Sequence, residues 1–271
     1  MNHLLRSHAP ISDTGWQLLD EEARQRLAPA LAARRLVDFS GPHGWAHSAA
    51  ALGRTSALAS APSEGVTGLR RRVLALVEAR ADFAVALDEL RDADRGASDA
   101  DLDELDRAAH SIAVAENVAV FHGWENAITG ITEASPHEPI PLPGAGEEYP
   151  SAVAAGVERL LMSGIAGPYA LALGEQEHGR AIAATEHGGY PVLEHLQKIL
   201  DGPIVWAPGV RGAVLLSRRG GDFLLNCGQD LSIGYDSHDE QVVRLYLQAS
   251  FTFQAATPDA AIHLSAPPAT A

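Results

Sequence analysis

The stretch GGDFLLNCGQDLSIGYDSHDEQVVRLYLQASFTF, from Gly220 to Phe253, carries the clearest structural pattern in the chain. Near its end, apolar residues occupy every second position. This apolar set is Val243, Leu245, Leu247, Ala249, Phe251 and Phe253. A period of two predicts a β-strand. The stretch holds no catalytic triad, no cluster of metal ligands and no phosphate-binding loop, so we predict that its role is structural.

A second alternating run lies upstream, from Val73 to Leu87, where the odd positions are apolar and several even positions are charged. Fully extended, it would span about 50 Å, which is too long for one strand of a compact domain. The run predicts a long two-stranded arm, or a strand that leaves the body. Because an isolated ribbon is only marginally stable, such an arm is expected to contact a neighbouring subunit. The segment before it, Gly53 to Arg72, is rich in turn-forming residues.

Helical periodicity appears in two places in the first half of the chain. Trp16, Leu19, Ala23 and Leu27 predict a helix that begins near Ser12, Asp13 or Thr14 and is ended or kinked by Pro29. A second, longer helix is predicted from Asp101 to Phe121. Further elements are expected at Tyr169–Leu173 (strand), Val192–Leu200 (helix), Ile204–Ala207, Ala213–Ser217 and Phe223–Asn226 (strands). The order predicts an α+β fold without the regular alternation of a doubly wound sheet.

Composition excludes several classes of protein. The 271 residues are 46% hydrophobic and 20% charged, with a net charge of −15, so no basic face for nucleic acid is expected. A single cysteine, Cys227, excludes an intramolecular disulfide and a cysteine zinc site. The first residues lack a signal-peptide core, and we find no apolar run long enough for a membrane helix, so the prediction is a cytoplasmic protein without a membrane partner.

Motifs that carry chemistry are weak throughout. His43 and His47 have the spacing of a helical metal pair, but the surrounding glycines and proline favour a loop. Glu175 and His178 form one Glu-x-x-His motif, whereas a di-iron site needs two on facing helices. Arg70, Arg71 and Arg72 form a basic cluster, which in so acidic a chain is expected to pair with carboxylates, either within the subunit or across an interface. Neither a nucleophile elbow nor a nucleotide-binding loop is present.

Several blocks of sequence, taken in order, resemble family 1 encapsulins, the linocin-like shell proteins. They include LLRSHAPISDTGWQLLDEEARQRLAPALAARRLVDFSGPHGW, AENVAVFHGWENAITGI, GIAGPYALALG, IVWAPGVRGAVLLSRRGGDF, GQDLSIGY and VRLYLQASFTFQ. The resemblance covers the chain from about Leu4 to His263. It implies the tailed-phage major-capsid fold, in which a peripheral domain, an axial domain and an extended loop build an icosahedral shell. In that fold the subunit is a structural building block of the shell and needs no catalytic site.

The implied division of the chain follows the family pattern. Residues 1–40 would form a lumen-facing N-terminal helix, residues 41–52 and 88–135 the peripheral domain with its spine helix, and residues 53–87 the extended loop. Residues 136–219 would form the axial domain, and residues 220–264 the strands that return to the peripheral domain. The tail, 265–271, is expected to be disordered.

The resemblance also implies a binding groove for a short C-terminal targeting peptide of a cargo enzyme. The matching positions are Leu27, Leu31, Arg34, Leu36 and Asp38, opposite Asp230, Leu231 and Ile233. Apolar anchors would enter the groove while Arg34 and Asp38 hold the peptide's polar backbone or termini. The alternative is that these residues only pack the first helix against its own domain, and both interpretations can hold together. Leu27 stands where several relatives carry an aromatic residue.

Two further expectations come from the resemblance. The segment GEQEHGRAIAATEHGG would form a five-fold pore loop, where Glu175, Glu177, His178, Glu186 and His187 would line or flank the opening and favour cations. Its histidines could make the pore sensitive to pH. Some relatives bind a flavin through a tryptophan whose position is taken here by Asp88. We therefore expect no flavin and no other cofactor.

The function implied is a non-enzymatic shell subunit that self-assembles into a closed icosahedron of about sixty copies. The enclosed cargo would be a dye-decolourising haem peroxidase, or as second choice a ferritin-like protein. Two other hypotheses stay open at this point: a true phage-type capsid protein, and a hydrolase or secreted bacteriocin. The missing nucleophile and signal peptide count against the latter pair.

Overall fold

The computed structural model describes residues 3–186 and 188–266. The helices are α1 (Asp13–Ala30), α2 (Ala32–Leu36), α3 (Leu87–Asp94), α4 (Asp103–Phe121), α5 (Ile131–Ala134), α6 (Tyr149–Met162), α7 (Glu175–Ala183) and α8 (Val192–Leu200). The strands are β1 (Asp38–Ser40), β2 (Ala49–Ala57), β3 (Leu69–Ala75), β4 (Val77–Ala86), β5 (Ile140–Pro141), β6 (Tyr169–Leu173), β7 (Ile204–Trp206), β8 (Ala213–Ser217), β9 (Phe223–Cys227), β10 (Ser232–His238), β11 (Val242–Ala255) and β12 (Ala261–Ser265). Within the described ranges, no helix combines the length and apolar character needed to cross a membrane.

The first sheet is built around β11, the long strand predicted from alternation. One side of β11 pairs antiparallel with β4, and the other side pairs first with β10 and then with β9, which carries β1 at its outer edge. Helix α4 packs on β4 and β11, and α1 packs on α4. Leu105, Ile112 and Val120 of α4 are buried, as expected for the apolar stripe of a helix that covers a sheet.

The second sheet has the order β5-β12-β8-β6-β7, with α6 and α8 packed on it. Every residue of β6 and β8 is buried, which explains why their sequences read as continuous apolar runs. Strand β12 pairs with β8 and β5 in this sheet. Of the strands in residues 220–264, which were predicted to return to the peripheral domain, β9, β10 and β11 therefore lie in the first sheet and β12 lies in the second.

The alternating run from Val73 to Leu87 is two strands rather than one. Strand β3 pairs with β2 in a separate two-stranded ribbon, whereas β4 joins the first sheet beside β11. The chain changes partner at Leu76. Most ribbon side chains are exposed to solvent, among them four large apolar ones: Leu58, Val66, Leu69 and Val73.

Two local predictions are also corrected. The segment after Gly174, expected to be an irregular loop, begins with the nine-residue helix α7. Ser265, assigned to a disordered tail, is the last residue of β12, and the rest of that prediction from 267 onward falls outside the described residues. Among the alternatives for the start of α1, Ser12 is the N-cap, and its Oγ accepts a hydrogen bond from the Gly15 amide at 2.9 Å.

The limits of the implied domains stay a prediction. The elements of the second sheet before β12 fall between residues 140 and 217, within the proposed axial domain. For the extended loop, the ribbon spans residues 49–75, while residues 77–86 lie in the first sheet. Of the predicted extended loop, 53–87, residues 53–75 thus lie in the ribbon and residues 77–86 in a strand of the first sheet.

Candidate functional site

A cleft of about 310 Å³ opens between α1 and the first sheet. Its lining residues are Asp20, Ala23, Arg24, Leu27, Ala28, Leu31, Arg34, Asp230, Leu231, Ser232, Ile233 and Leu247. Leu27, Ile233 and Leu247 are buried and form an apolar floor, and Leu31 and Leu231 are half-buried. The charged side chains lie among these apolar ones, so the cleft can take apolar side chains and also hold polar groups.

Six of the eight residues predicted for a peptide groove line this cleft, and two do not. Leu36 is buried in the core, with 3% of its surface exposed. The carboxylate of Asp38 accepts a hydrogen bond from the Gly221 amide at 2.6 Å and lines a separate, smaller cavity with Arg218 and Asp222. Asp38 is therefore bound to the turn before β9 rather than to the cleft.

Arg34 is the centre of an ion network at one end of the cleft. Its Nε donates to Glu116 Oε1 at 2.8 Å and its Nη2 donates to Glu116 Oε2 at 2.7 Å. Its Nη1 donates to Asp230 Oδ1 at 2.6 Å. The guanidinium also lies 5.0 Å from the ring centre of Phe39. Arg34 therefore joins α2 to the spine helix α4 and to the loop before β10.

The charges of this network reinforce one another. Burial alone would lower the pKa of Arg34, but hydrogen bonds and charge from Glu116, and then from Asp230, outweigh it and raise the pKa above its ordinary value. Glu116 is 2% exposed, so its carboxylate needs the guanidinium as a partner. The network uses three of the five Arg34 N–H groups and leaves two without an acceptor in it.

Asn117 holds the break between α1 and α2 in place. Its Oδ1 accepts a hydrogen bond from the Ala33 amide at 3.1 Å, and its Nδ2 donates to the carbonyls of Ala30 and Pro208 at 2.8 and 3.1 Å. These bonds satisfy backbone groups left open where α1 ends after Pro29. Sequence analysis overlooked Asn117 and the role of Glu116. The signal was present for Glu116, since a carboxylate on the apolar stripe of α4 requires a buried partner.

The residues predicted to line a pore do not share one environment. Glu175, in the first turn of α7, is exposed, whereas Glu177 is buried with Arg180 at 3.9 Å. Burial lowers the pKa of His178. Glu186 accepts a hydrogen bond from His195 Nδ1 at 2.8 Å, and His187 lies outside the described residues. Of this set, Glu175 is the carboxylate most available to a solute.

Nothing in the described part of the chain groups three or more His, Cys, Asp or Glu side chains in a way that could hold a metal ion. Cys227 is buried in β9, where burial, followed by the charge of Asp230, raises the pKa of its thiol to about 12. A thiol that stays protonated at neutral pH is a poor nucleophile. Cys227 is therefore part of the structural core beside the cleft.

Comparison with known proteins identifies the family. A family model described as "Encapsulating protein for peroxidase" matches residues 1–252. A type 1 encapsulin shell protein from Rhodospirillum rubrum is 47% identical over 270 residues, covering 97% of this chain and 96% of the relative. The chain belongs to the type 1 encapsulin shell proteins. Another member, from Brevibacterium linens, is 41% identical over 267 residues, covering 98% of this chain and all of the relative.

Solved structures confirm the fold of this encapsulin shell protein. A virus-like particle from Pyrococcus furiosus aligns with a TM-score of 0.67 at 14% identity, covering 92% of this chain and 99% of the other. Mycobacterium phage Bobi aligns with a TM-score of 0.57 at 11% identity, covering 89% and 91%. At these identities the likeness concerns the fold alone. Together with the family match, it makes the chain a structural shell protein with a phage-type capsid fold, and the enzyme hypothesis is set aside.

Proposed function

We propose that about sixty copies of this chain assemble into a closed icosahedral shell in the cytoplasm and enclose a cargo enzyme. The ribbon β2–β3 is the observation that carries the proposal for assembly. An isolated two-stranded ribbon is at best marginally stable in water. Here it exposes four large apolar side chains, with Leu69 at 66% and Val66 at 55% of their surface. Contact with a neighbouring copy would cover these side chains and order the ribbon.

The test is size-exclusion chromatography and negative-stain microscopy of the chain expressed alone. Uniform hollow particles of about sixty subunits are the expected result. Deletion of the ribbon tip, residues 58–68, should leave a folded subunit that no longer closes into particles. A monomer or small oligomer of the intact chain, under the same conditions, would contradict the proposal.

The cleft between α1 and β10 is proposed to bind the C-terminal targeting peptide of the cargo. Its volume of about 310 Å³ and its floor of Leu27, Ile233 and Leu247 suit a few apolar side chains of a short peptide. Arg34 and Asp230 stand at one end, where they can meet a polar peptide group. Leu36 and Asp38 would contribute only through the structure that they support.

Dye-decolourising peroxidase is the cargo that we favour, with a ferritin-like protein second. The description of the matching family model names a peroxidase, and this supports the order. The proposed probe is a fluorescent reporter fused to the C-terminal segment of a peroxidase encoded beside this gene. A parallel fusion to a ferritin-like C-terminus tests the second choice.

Leu31 provides the sharpest variant for this test because it lines the cleft without being fully buried. Leu31→Asp should lower reporter loading at least about tenfold, since one buried leucine is worth about 1.5–3 kcal/mol and each 1.4 kcal/mol is tenfold. Leu31→Met conserves volume and should load normally. Normal loading by Leu31→Asp in intact particles would show that the peptide binds elsewhere.

For the pore, we propose that Glu175 flanks an opening and favours the entry of cations. Its exposed position at the start of α7 supports this choice over Glu177 and Glu186, which have partners within the subunit. The rate at which a divalent cation quenches an enclosed dye should fall in Glu175→Gln particles. An unchanged rate would remove Glu175 from the pathway.

A further inference from the structure

The ribbon β2–β3 has a sign of charge opposite to that of the whole chain. Between residues 49 and 75 it carries four arginines and one glutamate, while the chain as a whole has a net charge of −15. The four arginines are Arg54, Arg70, Arg71 and Arg72. All four are exposed, and within the described residues none of them has a carboxylate within ion-pair distance.

Their clustering sets the ribbon arginines apart from the other arginines of the chain. In the described body of the chain, ten other arginines lie within ion-pair distance of a carboxylate of the same subunit. Ten of the nineteen arginines are thus paired within the subunit, and of the nine without an ion pair in the described residues, four lie together on this one arm. Repulsion between these like charges opposes their clustering, unless a surface of opposite sign receives them.

The pleat of β3 divides the ribbon into two faces. Arg70 and Arg72 point to one face, and Leu69, Arg71 and Val73 point to the other, because successive residues of a strand alternate. One face is therefore basic, and the other combines exposed apolar side chains with one arginine. A ribbon of this kind suits a partner that offers carboxylates and apolar contact together.

The strongest acidic stretch of the chain lies at the other end of β4. Residues 88–106, which include α3 and the start of α4, hold nine carboxylates and two arginines. Asp94, Asp99, Asp101, Asp103 and Glu104 are exposed, and none of the five has an ion-pair partner in the described part of the subunit. No ion pair within one subunit joins this stretch to the ribbon. The two surfaces are complementary in charge, but each lacks its counterpart inside the subunit.

We propose that the basic face of the ribbon of one copy docks on the acidic α3–α4 surface of a neighbouring copy. This inference rests on the proposed assembly of the chain and names the surfaces that recognise each other. Electrostatic attraction of this kind steers encounter and selects register, while the apolar side chains of the ribbon supply buried contact. Exposed charges are screened within about 3 Å at 1 M salt and about 10 Å at 0.1 M salt. Assembly should therefore slow as ionic strength rises.

The test is a charge exchange. Arg70→Glu/Arg72→Glu and Asp99→Lys/Asp103→Lys are each expected to reduce the yield of closed particles at least tenfold, with circular dichroism of the folded subunit unchanged. The four substitutions together restore opposite charges and should recover most of the wild-type yield. Arg35→Glu/Arg218→Glu is the matched control, because it changes net charge by the same amount at exposed arginines outside the ribbon. This control should assemble.

The outcomes separate the two proposals. If the wild-type chain forms no closed particle, the proposed shell function itself fails. If the wild type assembles but the fourfold variant does not recover, the docking of ribbon on the acidic surface is wrong. Equal losses in the ribbon variant and the matched control would assign the effect to net charge and would also overturn it.

Discussion

Breaking the pair between Arg34 and Glu116 should destabilise the shell protein strongly. Glu116 is 2% exposed, and Arg34 donates three hydrogen bonds to it, at 2.8, 3.1 and 2.7 Å. Removal of one partner from such a pair leaves an uncompensated buried charge, which costs about 3–5 kcal/mol. Glu116→Leu leaves Arg34 with Asp230 as its remaining partner, so we expect the lower end of this range, about 3 kcal/mol. Arg34→Met leaves the buried Glu116 carboxylate without an ion-pair partner, so it should cost at least as much.

The double variant Arg34→Met/Glu116→Leu distinguishes the pair from its members. Replacement of a whole buried ion pair by apolar side chains of similar volume is often nearly neutral. The double variant should therefore recover most of the loss, with a coupling free energy of about 2–3 kcal/mol. Asp230, which is 43% exposed at its side chain, can rely on water when Arg34 is gone.

Calorimetry of the particles is the assay. At about 3 °C per kcal/mol for a chain of this size, each single variant should lower Tm by roughly 9 °C. Arg24→Met/Glu21→Leu is the matched control, because that pair is exposed and should contribute under about 1 kcal/mol. Single variants that lose less than the control pair, or losses that simply add in the double variant, would refute the argument. Reporter loading of the double variant then tells whether Arg34 also contacts the peptide.

Three further predictions concern other parts of the chain. His122 accepts a hydrogen bond from the Arg211 amide at 3.0 Å, and burial, then the charges of His263 and Arg211, lowers its pKa to about 4. As the pH falls, the unfolded chain binds this proton before the folded chain does, so the free energy of unfolding should fall by at most about 3 kcal/mol between pH 6.5 and 4. In urea titrations, the free energy of unfolding of His122→Gln should depend less on pH. Cys227 is buried and its thiol pKa is raised to about 12, so it should resist thiol reagents at pH 8 in the native particle and react at once in denaturant. Rapid labelling of the native particle would contradict the buried position of Cys227 in β9. Gly41→Ala should prevent soluble expression, because a Cβ there would lie 2.3 Å from the Cys227 carbonyl oxygen and the backbone φ is +126°. Gly44 also has a positive φ, +95°, but open space around it, so Gly44→Ala should lower the free energy of unfolding by only about 1 kcal/mol in chemical denaturation.

Much of the fold was predictable because its signals are local. The strand Tyr169–Leu173 and the helix Val192–Leu200 have the predicted limits, and β11 follows the alternation seen in its sequence. Each depends on a periodic apolar pattern that its own residues supply. The prediction for α7 failed because that helix is short and polar over its first six residues. Its apolar residues, Ala181, Ile182 and Ala183, are consecutive at its end, so its sequence lacks an apolar stripe.

The alternating run from Val73 to Leu87 shows where local patterns stop. Strands β3 and β4 keep the same parity across Leu76, so the sequence reads as one strand. The change of partner from β2 to β11 depends on residues more than 150 positions away along the chain. The alternation of a strand shows which of its faces is apolar, but it does not show which distant strand pairs with it.

By itself, the sequence determined the family, the α+β character of the chain, the main strands and helices, and six of the twelve residues that line the cleft. Only the tertiary structure decided that Asp38 turns to Gly221, that β12 joins the second sheet, and that Arg34 spans α2, Glu116 of α4 and Asp230 before β10. Periodicity records which residues are buried, because burial follows from the geometry of one helix or strand. The partner of each buried charge depends on packing between distant segments, and only the folded chain brings those together.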